Sequence, residues 1–165
     1  MTKFLLIGPS GVGKSTVLKK LSADSSLVIH DLDNLVKENV GTISLSKYFT
    51  DFGHQNFFNK SKDAIEKTYS DKNILIAVGA GSIDFPGGHQ WYNDQNTIVL
   101  TGDPDIIYKR SDRHQFHPTC DGYKANEFSA VRQKLYNNSK FIVDVTHLTP
   151  EQVADKISEI IKNYC

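Results

Sequence analysis

The chain reads Gly8-Pro9-Ser10-Gly11-Val12-Gly13-Lys14-Ser15 directly after its first apolar run, and this segment decides the fold. It satisfies the pattern G-x-x-x-x-G-K-[ST] at every defined position, between an apolar run and a segment with helical spacing. The glycines allow the backbone to curl until successive N–H groups point inward at phosphate oxygens. A chance match in a glycine-rich turn is the alternative, and it would arise in roughly one chain per hundred or fewer. The segment therefore predicts a phosphate-binding loop, the P-loop.

The residue types in the P-loop indicate which groups of a nucleotide it binds. Lys14 is expected to reach the β- and γ-phosphates of ATP, and the Ser15 hydroxyl is expected to ligate Mg²⁺. The helix that begins near Lys14 adds the positive end of its dipole. The sequence thus predicts ATP and Mg²⁺ as cofactors, bound by one run of neighbouring residues: Gly8, Ser10, Gly11, Val12, Gly13, Lys14, Ser15 and Thr16.

Short apolar runs alternate with helical patterns along the chain. Strands are predicted at residues 3–7, 27–29, 74–78, 97–100 and 140–145. Between them, helical spacing is predicted at 14–21, from 32 onward, in two further stretches that end near residue 69, and in a C-terminal helix. This alternation is typical of βαβ units. The predicted fold class is therefore α/β, a five-stranded parallel sheet flanked by helices on both sides.

Two polar segments carry the signals of a helix start. Asp103 precedes Pro104, which is the order of an N-cap followed by proline in the first turn. Thr149 precedes Gln152 by three residues, which is the spacing of a capping box. Both segments therefore predict helices that begin immediately after a strand.

Composition bounds the class of protein. The chain has 165 residues, which fits one domain, predicted here over residues 1–165. Its 19 basic and 19 acidic residues balance, which argues against a nucleic-acid partner that would need a basic face. No stretch approaches membrane-spanning length, and Cys120 and Cys165 are interpreted as free thiols. A cytoplasmic protein without a membrane partner is expected.

The stretch 111–124 is polar, contains Pro118 and Gly122, and shows no periodicity. A loop of this length in a compact domain is usually a functional lid or a disordered segment. His114, His117 and Cys120 within it have a spacing that could hold a metal, although with only one cysteine. The lid interpretation is preferred to a zinc site.

Asp31-Leu32-Asp33 comes just past the second predicted strand. In an open parallel sheet, ligands bind beyond the carboxyl ends of the strands, so this pair is expected beside the P-loop. Two carboxylates there can serve Mg²⁺ and an accepting hydroxyl group. The structural alternative is that Asp31 only caps the following helix.

These features together resemble the shikimate kinase family over essentially the whole chain: the P-loop, Asp31-Leu32-Asp33, the glycine turn after the third strand, the Arg110 to Pro118 region, and Arg132 to Tyr136. The resemblance implies a fold of the nucleoside monophosphate kinase type with a mobile lid at about 111–124. It also implies that Asp31 holds Mg²⁺ through water, and that Asp33 contacts the substrate and acts as the base. By the same resemblance, Arg110 stacks on adenine and Arg132 binds the substrate carboxylate.

The chain departs from this family where the acceptor would bind. The family's Phe-Arg-x-x-Glu becomes Phe57-Phe58-Asn59-Lys60-Ser61, so both the arginine and the glutamate are absent. Its glycine triplet becomes Gly79-Ala80-Gly81, and its lid Arg-Pro becomes His117-Pro118. A carboxylate normally pairs with a bidentate arginine, which Phe58 cannot supply. The acceptor-binding residues implied by the resemblance are Asp33, Phe57, Phe58, Gly79, Ala80, Gly81 and Arg132.

The lid arginine that the family uses has two possible substitutes in this sequence. Arg113 could supply the cation when the lid closes, or His117 could do so when protonated. The alternative for both is a solvated loop residue. Lys14, Asp33, Arg113 and His117 are therefore the candidate catalytic residues.

The sequence predicts an ATP-dependent kinase that phosphorylates a hydroxyl group of a small metabolite, either shikimate or a related compound. A nucleotide kinase is one alternative, because Gly8-Pro9-Ser10-Gly11 resembles the P-loop of guanylate kinase. A non-catalytic ATP-binding regulatory protein is the other, because several acceptor-site residues are changed. A monomer is expected by analogy with the family.

Overall fold

Five parallel strands form one sheet, which confirms the predicted α/β class. The computed structural model describes residues 1–41 and 44–164, and of Arg113 it describes the backbone only. The strands are β1 (Lys3–Ile7), β2 (Leu27–Asp31), β3 (Asn73–Ala77), β4 (Thr97–Thr101) and β5 (Phe141–Asp144). Their order across the sheet is β2-β3-β1-β4-β5. The central strand β1 ends at the P-loop, so the carboxyl edge of the sheet carries the predicted phosphate site.

Helices fill the connections between the strands. They are α1 (Lys14–Leu21), α2 (Leu32–Val40), α3 (Leu45–Lys67), α4 (Gly88–Asn93), α5 (Pro104–Arg110), α6 (Cys120–Glu127), α7 (Ala130–Asn137) and α8 (Pro150–Tyr164). Within the described part of the chain, none of these helices is both long and apolar enough to cross a membrane. The first strand and α1 have the bounds that the sequence predicted.

The three central strands of the sheet are buried on both faces, as their uninterrupted apolar runs predicted. In β1, Leu5 and Ile7 belong to one core cluster, and Phe4 and Leu6 belong to the cluster on the opposite side. All four side chains are buried, and each such burial contributes roughly 1.5–3 kcal/mol. The P-loop is therefore built on the central strand of the sheet, whose apolar side chains are buried.

The long helix α3 contains the two helical stretches that the sequence predicted before Tyr69. They meet at Gly53, whose φ of 81° and ψ of 175° lie outside the helical region. A glycine adopts this left-handed φ without a steric penalty. The helix consequently changes direction at this point, and its second half brings Phe57 and Phe58 against the sheet.

Both predicted helix starts are confirmed. The Asp103 carboxylate accepts from the backbone N–H of Asp105 at 2.9 Å and of Ile106 at 3.3 Å. The Gln152 side chain accepts from the N–H of Thr149 at 2.9 Å, and the Thr149 hydroxyl accepts from the N–H of Gln152 at 3.2 Å. These bonds satisfy helix N–H groups that have no partner inside the helix.

The expectation of an unstructured loop over 111–124 is wrong for its last residues. A short 3₁₀ turn forms at Arg113–Gln115, and α6 already begins at Cys120. The Thr119 hydroxyl accepts from the N–H of Gly122 at 3.1 Å and caps α6. The weak apolar periodicity of α6 concealed this helix, but its threonine cap was readable from the sequence.

Candidate active site

The P-loop connects β1 to α1, and two glycines determine its path. A Cβ atom at Gly8 would lie 2.4 Å from the carbonyl oxygen of Leu100, so only glycine fits beside β4. Gly13 precedes α1 with a φ of 105°, in the left-handed region that favours glycine. These positions explain locally why the motif needs glycine at its two ends.

Lys14 curls back over the loop that precedes it. Its Nζ donates to the carbonyl oxygen of Gly8 at 2.7 Å and to that of Pro9 at 3.3 Å. The ammonium group is therefore held at the mouth of the P-loop, where phosphate oxygens would compete with these carbonyls for its protons. A compact cation in this position can offset the charge of two phosphate groups at once.

A cavity of ≈ 520 Å³ lies at the carboxyl edge of the sheet and gathers most of the predicted nucleotide and metal residues. It is lined by the P-loop, the start of α1, the end of β2, the turn after β3 and the end of α5. The predicted residues among its lining are Ser10, Gly11, Gly13, Lys14, Ser15, Thr16, Asp31, Gly79, Ala80 and Arg110. Val12 lines an adjoining cavity of ≈ 240 Å³.

Arg110 stands between these two cavities and is anchored by backbone oxygens. Its Nη1 donates to the carbonyl of Val145 at 3.1 Å, and its Nη2 donates to the carbonyl of Thr146. Both cavities are lined by Arg110. A guanidinium plane fixed in this way offers a flat surface to a nucleotide base.

The Asp31 carboxylate caps a helix, which is the structural alternative considered from sequence. Asp31 is the N-cap of α2, and its Oδ1 accepts from the N–H of Asn34 at 3.3 Å. Its side chain is also exposed and lines the P-loop cavity beside Ser15. The hydroxyl of Ser15 and the carboxylate of Asp31 are oxygen ligands of the kind that Mg²⁺ prefers.

Asp33 lies in the first turn of α2 and is half-buried, but it does not line the P-loop cavity. Burial raises the pKa of Asp33 above its ordinary value, and the negative charge of Asp31 raises it further. Burial raises the pKa of the Tyr92 phenol, and the nearby negative charge of Asp33 raises it further. A carboxylate of raised pKa is a better proton acceptor than an ordinary aspartate.

Phe57 and Phe58 pack inside the core cluster. The Phe58 ring stacks on Phe85 with centroids 5.2 Å apart and an interplanar angle of 16°. Phe57 also stacks on Phe85, at 5.9 Å, and the edge of Trp91 contacts Phe58 at 6.0 Å. Where the family resemblance implies an arginine, this chain therefore has a buried aromatic wall.

The glycine turn after β3 folds into a 3₁₀ helix at Ala80–Ile83. Gly79 and Ala80 line the P-loop cavity, while Gly81 is exposed on the turn. Asp84 follows the turn directly, and sequence reasoning did not identify it as a site residue. Asp84 lies beside the predicted acceptor residues because it contacts one of them, on α7.

That partner is Arg132, whose buried guanidinium contacts two carboxylates. Its Nε and Nη2 donate to Oδ2 of Asp84 at 3.1 and 2.5 Å, and its Nη1 donates to Oε2 of Glu127 at 2.7 Å. These contacts hold the pKa of Asp84 below its ordinary value, although burial opposes ionisation. The residue implied to bind a substrate carboxylate is thus already paired within the chain.

Glu127 is the second residue that sequence reasoning missed. Its Oε2 also accepts from the N–H of Ser10 at 3.0 Å, and its Oε1 lies 3.4 Å from Nε2 of His117. This buried carboxylate therefore contacts the P-loop, α7 and the segment 111–124. No motif marks it, because its contact with the P-loop joins residues 117 positions apart in the chain.

The histidines and the cysteine of segment 111–124 have separate partners. His114 stacks on Tyr108 with centroids 4.3 Å apart, and Cys120 donates from Sγ to Oδ1 of Asp105 at 3.1 Å. His117 contacts Glu127 instead. The predictions for the Arg113 side chain and for the Cys165 thiol lie outside the described residues.

Comparison with known proteins gives a consistent result. The sequence model of a family described as "Shikimate kinase" matches residues 10–162. A shikimate kinase of Lactococcus lactis subsp. lactis is 30% identical over 160 residues, covering 94% of this chain and 95% of the relative. A shikimate kinase of Lactococcus lactis subsp. cremoris is 32% identical over the same length and coverage.

Solved structures share the fold. A shikimate kinase structure from Bacteroides thetaiotaomicron superposes with a TM-score of 0.74 at 20% identity, covering 98% of each chain. A shikimate kinase from Acinetobacter baumannii in complex with shikimate superposes with a TM-score of 0.72 at 19% identity, covering 99% of this chain and 94% of the other. At these identities the structures support the fold alone.

Proposed function

Because this chain belongs to the shikimate kinase family and is therefore an ATP-dependent kinase with a hydroxyl acceptor, we propose that it transfers the γ-phosphate of Mg-ATP within the P-loop cavity. The observation that carries this proposal is the convergence of Lys14, Ser15, Asp31 and Arg110 on that one cavity. A phosphate cradle, an ammonium group, metal-type oxygens and an anchored guanidinium are the parts that phosphoryl transfer from ATP requires.

In this mechanism the chain acts by positioning and electrostatics. The acceptor hydroxyl oxygen bonds to the γ-phosphorus as the bond to the bridging β,γ-oxygen breaks, and Asp33 takes the hydroxyl proton. Lys14 offsets the charge that develops on the transferred group and on the departing ADP. The burial of Asp33 supports its role, because a raised pKa strengthens a carboxylate as a base.

Ser15 and Asp31 would hold Mg²⁺, Ser15 through its hydroxyl and Asp31 through a water molecule. When bound, the ion would neutralise charge on the β- and γ-phosphate oxygens. The fit rests on the donor set, since a hydroxyl and a carboxylate from two different elements line the same cavity. Residues 111–119, which precede α6, would form the lid, with His117 or Arg113 supplying its cation.

The acceptor is a small hydroxylated metabolite, and we propose that Asp33, Gly79, Ala80 and Gly81 contact it. Phe57 and Phe58 would form the apolar wall behind it, and Arg132 would lie at its far end. A cytoplasmic monomer without a nucleic-acid partner is the companion proposal, and it rests on composition and on analogy with the family.

The test is coupled ADP release with Mg-ATP in the presence of shikimate, then small hydroxylated acids, cyclitols and nucleotides. Acceptor-dependent ADP release that is lost in Lys14→Ala is the expected result. Turnover with nucleotides alone would favour the nucleotide kinase. ATP binding without acceptor-dependent turnover would overturn the proposal and favour a non-catalytic regulatory protein.

A further inference from the structure

Arg132 has its three guanidinium nitrogens engaged by two carboxylates. Asp84 accepts from Nε and Nη2 through Oδ2 at 3.1 and 2.5 Å and from Nε through Oδ1 at 3.4 Å, and Glu127 accepts from Nη1 at 2.7 Å. One positive and two negative charges sum to a net charge of about −1 for this cluster at neutral pH. The cluster therefore does not present the positive charge that an incoming anion needs.

The two carboxylates occupy different sides of the arginine. The side chains of Arg132 and Glu127 are 11% and 8% exposed, whereas that of Asp84 is 45% exposed. Glu127 is consequently the internal partner, and Asp84 covers the side that faces solvent. Asp84 and Arg132 line a cavity of ≈ 730 Å³, and His89 lines it too, with its Nε2 3.0 Å from Oδ1 of Asp84.

This cluster is connected directly to the phosphate site. Glu127 accepts from the N–H of Ser10 in the P-loop at 3.0 Å. Asp84 follows the 3₁₀ turn whose first residue, Ala80, lines the P-loop cavity. The two cavities share no lining residue, and in the proposed function the acceptor extends from the P-loop to Arg132, where it meets Asp84.

We propose that Asp84 is a specificity-determining residue that excludes acceptors with a carboxylate at the end facing Arg132, so that the acceptor is an uncharged hydroxylated compound. This inference rests on the proposed function. A carboxylate on the acceptor would have to displace one that is tethered nearby and therefore present at a high effective concentration. It would also meet the like charge of Asp84, which disfavours the wrong partner.

A neutral hydroxyl group is buried beside the cluster. The phenol oxygen of Tyr136 is buried and, among the described residues, has no hydrogen-bond partner. Burial raises the pKa of Tyr136, and the charges of Arg132, Glu127 and Asp84 also act on it. Tyr136 therefore stays neutral and leaves the net charge of the cluster unchanged.

The aromatic wall formed by Phe57 and Phe58 also favours an acceptor without a carboxylate. Phe58 stands where a second cation would assist a carboxylate, and its ring is stacked on Phe85. The ammonium of Lys62 lies over the Phe58 and Trp91 rings, 5.6 and 5.8 Å from their centroids. It is thus placed to interact with aromatic faces rather than with the Asp84–Arg132 pair.

The experiment compares two probes that differ by one charge, shikimate and its methyl ester, on wild type and on Asp84→Asn. Binding is measured in the presence of ADP by the fluorescence of Trp91, the only tryptophan, whose ring contacts Phe58. Wild type is expected to bind the ester more tightly than the acid. Asp84→Asn is expected to bind the acid about tenfold or more tightly than wild type does, with little change for the ester.

The matched control is Asp94→Asn, an exposed aspartate at the end of α4 that accepts from Gln90. It should leave both affinities unchanged. Asp84→Ser is measured beside Asp84→Asn, and thermal melting of each variant establishes that the binding data come from folded protein. Ester-preferring wild type together with acid binding gained in both Asp84 variants supports the inference.

Equal acid affinity in wild type and both folded Asp84 variants, including equal failure to bind, overturns the inference. The proposed function is judged separately, by acceptor-dependent ADP release. Loss of turnover with every acceptor would contradict the proposed kinase activity. The comparison of affinities would still test the role of Asp84. Equal turnover of shikimate by wild type and the Asp84 variants would support the kinase activity and contradict the specificity role of Asp84.

Discussion

Nη1 of Arg132 and Oε2 of Glu127 lie 2.7 Å apart, and both side chains are almost fully buried. The pair joins the end of α6 to the first turn of α7, and Glu127 continues the connection to the N–H of Ser10. Removing one member of a buried ion pair leaves the other charged and unpaired, which is strongly unfavourable. Arg132 therefore has a structural role whether or not an acceptor contacts it.

Arg132→Ala is expected to lower the free energy of unfolding by about 3–5 kcal/mol, because Glu127 would remain buried without its cation. Urea unfolding measures this change. The double variant Arg132→Ala with Glu127→Gln should recover part of the loss, since the buried charge is then absent. A loss below about 1 kcal/mol, the range of exposed ion pairs, would contradict the structural role.

Lys14→Ala is expected to lower kcat by about 10³-fold, because Lys14 is the cation held at the mouth of the P-loop. Coupled ADP release with a saturating acceptor measures the change. The matched control is Lys19→Ala, which removes an exposed lysine from the same helix. Turnover near the wild-type rate in Lys14→Ala would show that the P-loop lysine does not take part in the reaction.

Asp33→Asn and Asp31→Asn are expected to separate the base from the metal ligand. In Asp33→Asn, kcat should fall about 10²–10⁴-fold with ATP affinity almost unchanged, because only the proton acceptor is lost. In Asp31→Asn, the Mg²⁺ concentration required for half-maximal rate should rise instead. Calorimetric titration of Mg-ATP accompanies the kinetics, and a collapse of ATP binding in Asp33→Asn would assign that residue to the metal.

The contribution of Asp84 to stability should depend on pH with a defined sign. Its folded-state pKa is held below the ordinary value of 3.8 by Arg132 and His89, against the effect of burial. Its ionised form therefore stabilises the protein above the unfolded pKa, and this contribution is lost as pH falls through the folded pKa.

The difference in unfolding free energy between wild type and Asp84→Asn should be constant above about pH 5 and shrink below about pH 4. Urea midpoints measured at intervals from pH 7 to pH 3 give this difference. Carboxylates that are distant from Asp84 titrate alike in both proteins and cancel in the comparison. A difference that stays constant down to pH 3 would show that the Arg132 pairing does not stabilise ionised Asp84.

The features that the sequence predicted correctly are those that depend on short-range patterns. The P-loop, the Asp103 N-cap and the capping box of Thr149 and Gln152 each involve residues a few positions apart. The strands were predicted because uninterrupted apolar runs mark a sheet buried on both faces. The beginning of α6 was missed because a short polar helix lacks periodicity, and its Thr119 cap was not weighed.

The part of the site that the sequence did not predict depends on long-range pairing. Asp84 and Arg132 are 48 positions apart, and Glu127 and Ser10 are 117 positions apart. No local pattern indicates that an aspartate after the β3 turn meets an arginine on α7. The replacement of arginine by Phe58 was visible, but its consequence required the contact with Phe85, which only the folded chain shows.

Gly102→Ala tests how the loop after β5 supports the nucleotide side of the site. A Cβ at residue 102 would lie 2.5 Å from the Thr146 hydroxyl oxygen and 3.1 Å from Oδ1 of Asp144. The Thr146 hydroxyl accepts from the N–H of Asp103 at 2.9 Å, so the added methyl group would push apart two connected loops. Since Arg110 is anchored on the carbonyls of Val145 and Thr146, its guanidinium should move with them.

Gly102→Ala is therefore expected to lower the free energy of unfolding by about 1–3 kcal/mol, as an overpacked site does. It should also weaken ATP binding, because the surface that Arg110 offers to the base would be displaced. Urea unfolding and calorimetric ATP titration measure the two effects. For stability alone, Gly81→Ala is the matched control, since a Cβ there meets nothing within 4 Å. Equal stability of the two variants would show that the loops after β4 and β5 separate without a cost in free energy. Unchanged ATP affinity would show that Arg110 does not contact the nucleotide.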